Sequence, residues 1–82
     1  MLSEKRQQID QIDQQIIDLL DQRFALTDAI GQIKKEQQLA VLQNTREQAI
    51  YAQIDKQAQN NDDIKQIYQQ IMTLSKERQA KI

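Results

Sequence analysis

Residues 9–34 read IDQIDQQIIDLLDQRFALTDAIGQIK. Ile9, Ile12, Ile16, Leu19, Leu26, Ile30 and Ile33 recur at steps of three and four, with Arg23 filling the one gap. That spacing gathers side chains on one stripe of an α-helix. A parallel line one position over carries Ile17, Leu20 and Phe24. Nothing between Ser3 and about Glu36 breaks the pattern, and Ser3 is a reasonable N-cap. The stretch predicts one long helix of about 34 residues, near 50 Å at 1.5 Å per residue.

Downstream, Gln37-Gln38-Leu39-Ala40-Val41-Leu42-Gln43 loses the period and reads as a connection. Asn44-x-x-Glu47 fits a capping-box variant opening a second helix. Its apolar face uses Ile50, Ile54 and Ala58, and it runs to about Gln59. Asn60-Asn61-Asp62-Asp63 supplies turn and cap residues before a third helix, with Ile64, Ile67, Tyr68, Ile71 and Leu74 as its face, ending near Lys81. The expected fold is all-α: three helices, one long and two shorter, in a single domain over residues 1–82. One Gly and no Pro are too few turn formers for a sandwich, a barrel or a βαβ unit.

Composition narrows the chemistry. Eleven Lys/Arg against twelve Asp/Glu leave a net charge of −1. No basic block of the kind that grips a phosphate backbone is present, so nucleic acid is not an expected partner. No apolar run approaches the roughly 20 residues that span a bilayer, and Met1-Leu2-Ser3-Glu4 does not open a signal peptide. The expected location is cytoplasmic, without membrane partners. With no His and no Cys, the chain has no Ser-His or Cys-His nucleophile and no ordinary zinc site. If the chain is an enzyme, positioning and electrostatics are the expected means, with no cofactor and no metal expected.

Length raises a packing problem. A compact chain of 82 residues has a radius of gyration of about 12 Å, hence a diameter of roughly 30 Å. A 50 Å helix overshoots that globule and leaves seam exposed. Two chains packing their long helices together solve the problem. A first helix bent or broken at Gly31 is the monomeric alternative.

The informative residues interrupt the apolar lines. Arg23 lies in the first seam, while Arg6 and Lys34 lie at the two ends of the adjacent line. Arg46 and Glu47 precede Ile50 and Ile54, and Ser75 and Gln79 continue the face of Tyr68 and Ile71. Each has a structural explanation. Arg23 can snorkel or pair with Asp10 or Asp13; Lys34 suits a helix C-terminus; Glu47 is a cap; Ser75 and Gln79 are a polar, fraying end. Together they read differently. Arg23 and Lys34 stand about 16 Å apart on one helix, close enough for long side chains to converge on a small polyanion. Arg6 is about 25 Å from Arg23 along the axis and reaches such a site only from an antiparallel partner chain.

Arg6-x-x-Ile9-Asp10-x-Ile12-Asp13-x-x-Ile16-Ile17-x-Leu19-Leu20-x-x-Arg23, then Gly31-x-x-Lys34, Arg46-Glu47 and Ser75-x-x-x-Gln79, resembles the AroQ-type (all-α) chorismate mutases. The resemblance covers Arg6 to Gln79. It implies an intertwined homodimer of three-helix chains with two equivalent sites, and the Claisen rearrangement of chorismate to prephenate on the route to Phe and Tyr. Such a pericyclic step needs no nucleophile, base or metal. By resemblance, Arg23 and a partner chain's Arg6 bind the two carboxylates, each through a planar bidentate fork. Lys34 and Gln79 donate to the ether oxygen as negative charge grows there. Glu47 accepts from the ring hydroxyl, Ser75 assists a carboxylate, and Arg46 lines the site. Gln43 stands where many relatives carry Asp. The change is mild if that position contributes its backbone N–H, and alters hydroxyl recognition if a carboxylate is required. Arg78 has no assigned role. An isochorismate-pyruvate lyase on the same fold is the nearest alternative, disfavoured by Arg46-Glu47 together with Ser75. A non-catalytic helical regulatory or dimerisation module is the other.

Overall fold

The structure, a computed structural model, describes residues 1–40 and 44–82. Three helices account for nearly all of them: α1 (Leu2–Glu36), α2 (Asn44–Gln57) and α3 (Asn61–Lys81). No strand occurs among the described residues.

The helix ends show which local signals operate. α1 begins at Leu2, and the Lys5 N–H donates to Met1 O at 3.1 Å. Ser3 therefore lies inside the first turn instead of capping it; the backbone carbonyl of Met1 suffices to start the ladder. At the other end Gln38 adopts φ 59°, the Leu39 N–H reaches Lys34 O at 2.7 Å, and the Gln38 N–H reaches Lys35 O at 3.3 Å. Those two bonds are a Schellman motif with glutamine in the left-handed position that glycine usually takes. α2 stops at Gln57, two residues before the expected Gln59. Asn60 caps α3 by position but makes no side-chain hydrogen bond; Asp62 and Asp63 supply negative charge to the first turn. The Asn44 side chain and the segment 41–43, with its expectation at Gln43, lie outside the described residues.

α2 and α3 form an antiparallel pair, tied near the turn by Lys65–Asp55 and at the far end by Lys76–Glu47. After two reversals α3 runs alongside the C-terminal half of α1 in the same direction: Arg23 meets Ser75, Asp28 meets Arg78, and Gly31 meets Gln79. Among the described residues the buried hydrophobic core is small, consisting of Ile54, Ile71 and Met72. On α1 only Gly31 and Lys34 are buried, while Leu20, Phe24 and Thr27 are half-buried. Thus α1 turns its second line, not its main apolar seam, toward α3. Small residues explain the choice. A Cβ on Gly31 would stand 2.9 Å from Gln79 Cγ and 3.2 Å from Gln79 Cα, so glycine sets the closest approach of the two helices.

The main seam stays uncovered. Ile9, Ile12, Ile16, Leu19, Leu26, Ile30 and Ile33 are all exposed, Leu26 to 66%. Ile67 and Leu74, expected on the packed face of α3, are exposed too, because that helix buries the stripe through Ile71, Met72 and Ser75 instead. The chain measures 54 × 24 × 15 Å with a radius of gyration of 15.6 Å, well above the roughly 12 Å of a compact chain of this size. α1 runs unbroken through Gly31, so a break there does not resolve the length problem.

Candidate active site

The C-terminal half of α1, the first two turns of α2 and the last three turns of α3 surround a cavity of about 250 Å3. Arg23 and Thr27 reach it from α1, Arg46 and Glu47 from α2, and Ser75, Lys76 and Gln79 from α3. Its apolar wall is Leu26, Ile30, Ile50 and Met72. Two of those, Leu26 and Ile30, belong to the exposed seam of α1, so the cavity opens directly onto it.

Arg23 is half-buried. Its Nη1 donates to Ser75 Oγ at 3.3 Å, and its guanidinium lies over the Tyr68 ring at 5.7 Å. Partners on α3 thus replace the expected pairing with Asp10 or Asp13. Ser75, 6% exposed, donates in turn to Ile71 O at 2.9 Å. This orients the hydroxyl so that its lone pairs face the guanidinium. Ser75 is not part of a fraying end: α3 continues to Lys81.

Lys34 is 5% exposed. Burying an ammonium costs free energy that hydrogen bonds must offset, so a mere dipole-matching lysine does not belong here; Lys35, the neighbour that fits that description, is exposed. Lys34 Nζ donates to Gln79 Oε1 at 3.3 Å, and Gln79 Nε2 donates to Thr27 O at 3.0 Å. The ammonium on one side and the carbonyl on the other fix which way the carboxamide points. Gln79 lines the cavity and Lys34 reaches the wall through it. An amide nitrogen carries two N–H donors, of which Thr27 takes one.

Glu47 Oε1 lies 2.9 Å from Lys76 Nζ. Lys76 escaped the sequence reading. Its signal is there in hindsight: Met72, Ser75, Lys76 and Gln79 follow the 3-4 spacing of one helical stripe. Arg78, whose role the sequence left open, turns away from the cavity. It makes a bidentate pair with Asp28, at 3.0 and 2.6 Å, and stacks on the Phe24 ring at 4.8 Å. The Arg78 guanidinium holds the Asp28 carboxyl below the usual carboxylate range, against a smaller opposing effect of burial. Arg6, exposed near the start of α1, is not brought to this cavity within the chain; Gln43 is outside the described residues.

The fold and the cavity together define a three-helix protein whose polar site, among the described residues, carries Arg23, Arg46 and Lys76 against a single carboxylate, Glu47. Residues 5–80 match the family model of chorismate mutase type II, and the chain belongs to that family. Comparison with curated proteins gives no match.

Proposed function

We propose that the chain is a chorismate mutase, converting chorismate to prephenate in the supply of Phe and Tyr, within a single catalytic unit spanning residues 1–82. The observation carrying this reading is the buried Lys34 ammonium fixed on Gln79, which lines the same cavity as Arg23, in a chain with neither His nor Cys. Such a site has fixed positive charge and no Ser-His or Cys-His nucleophile. A unimolecular rearrangement needs only that.

In this reading Arg23, backed by Ser75, binds one carboxylate of chorismate, and Arg6 from a second copy binds the other. Clamping both ends holds the enolpyruvyl group over the ring and favours the reactive diaxial conformer. The C–O bond breaks ahead of C–C formation, so charge grows on the ether oxygen. Lys34 and the remaining N–H of Gln79 donate to it, stabilising the transition state more than the ground state. Glu47 accepts from the ring hydroxyl, and Arg46 lines the site with Gln43 nearby in sequence.

The reading includes an intertwined homodimer, which the exposed seam of α1 supports. The uncovered seam of α1 forms one rim of the cavity through Leu26 and Ile30, so a second long helix laid on that seam closes the pocket and brings an N-terminal arginine to it. We also propose a cytoplasmic location. Among the described residues no helix is long and apolar enough to cross a membrane.

Incubation with chorismate and, separately, with isochorismate tests the assignment. Prephenate from chorismate is expected. Salicylate plus pyruvate from isochorismate, without prephenate from chorismate, transfers the site to the lyase reaction; no turnover of either leaves a non-catalytic helical module.

A further inference from the structure

We propose that Lys76 is a positioning residue, holding the Glu47 carboxylate at the cavity wall so that its second oxygen faces the ligand's hydroxyl. The inference rests on the mutase reading above and deepens it. Three observations carry it. Lys76 Nζ lies 2.9 Å from Glu47 Oε1, bridging α3 to the first turn of α2. Both side chains line the same cavity as Arg23 and Arg46. Among the described residues, Glu47 is the one carboxylate lining it.

That last point creates the need. A flexible carboxylate beside two guanidinium groups collapses onto one of them in the empty site, since Arg pairs carboxylates in bidentate fashion. Doing so withdraws the hydroxyl acceptor and also occupies a cation meant for the substrate. Lys76 prevents both by engaging one oxygen from the opposite helix. Its place on the stripe with buried Met72 and Ser75 fixes its root, and an ammonium leaves the second carboxylate oxygen uncommitted where a bidentate guanidinium would not. The pair's side chains are 35% and 22% exposed, so its direct effect on stability is small. A role in binding is therefore separable from a role in folding.

The test is a double-mutant cycle on chorismate turnover with Lys76→Met, Glu47→Gln and the double variant. Lys76→Met should raise KM about tenfold, the order expected for a lost charged hydrogen bond, with kcat within about threefold and the thermal midpoint nearly unchanged. Added to Glu47→Gln it should cost almost nothing more, because the group it positions is already disabled. Lys76→Arg should hold Glu47 in both oxygens and retain part of the defect. Wild-type KM in Lys76→Met, or losses that multiply in the double variant, overturn the role of Lys76. A wild-type chain that forms no prephenate overturns the reaction itself and this role with it.

Discussion

At the scale of single residues, Lys34 and Gly31 test the proposed chemistry most directly. Lys34→Ala removes the buried ammonium from Gln79. Losing one fixed donor to a developing oxyanion typically costs about 10²–10³ in kcat, and that loss is expected here with the helical signal retained; turnover by Lys34→Ala near the wild-type rate would reject the assigned site. Gly31→Ala tests the close approach. Alanine gains about 1 kcal/mol in helix propensity, while overpacking costs about 1–3 kcal/mol. The contact with Gln79 Cα, at 3.2 Å, involves backbone that cannot swing aside, so the net result is a loss on the order of 1 kcal/mol in a denaturant melt. Turnover should fall further than stability, because the residue pushed aside is Gln79. A Gly31→Ala chain that is more stable and equally active would show that propensity outweighs contact.

At the scale of the elements, α1 and α3 are clamped by Arg78 on Asp28 and Phe24. The Asp28 carboxyl is held below its ordinary value by Arg78, so the folded state favours its ionised form. Stability from the pair is present above the unfolded carboxyl pKa of about 4 and is lost as pH falls through the lower folded value. Thermal melts taken downward from neutral pH should therefore steepen in their decline below about pH 4, and Arg78→Gln should flatten that part of the profile. Identical acid limbs would remove the clamp from the account. α1 also ends with glutamine at φ 59°, a strain of about 1–2 kcal/mol for a residue with a Cβ. Gln38→Gly should raise the thermal midpoint, since the relief exceeds the extra unfolded-state entropy of glycine, about 0.4–1 kcal/mol.

These elements show where sequence pattern stops. The limits of α1 and α3 were legible to within about three residues because apolar periodicity and acidic first turns act locally. Which line of α1 meets α3 was not. Both lines are apolar, and the deciding facts are the small Gly31 and Thr27, which matter only once a second helix arrives. Arg23 and Lys34 stood out as charges in apolar lines, and Ser75 and Gln79 as polar steps on an apolar face. Their meeting with one another depends on two chain reversals. Lys76 and Arg78 pair with residues far away in sequence, and a lone lysine or arginine on a helix announces no such partner.

At the scale of the whole molecule, one chain is a 54 Å rod with its best apolar surface uncovered, and its cavity opens onto that surface. In the proposed homodimer a second copy would cover that surface, close the cavity and supply the Arg6 that one chain leaves far from it. Mixing Arg6→Ala chains with Arg23→Ala chains, each inactive alone, tests this most directly. In a hybrid dimer one site has both arginines and the other has neither. After verified exchange of subunits at equal concentration, chorismate turnover should recover to about a quarter of the wild-type value, as two-fold symmetry requires. No recovery in the exchanged mixture would contradict a site shared between two chains.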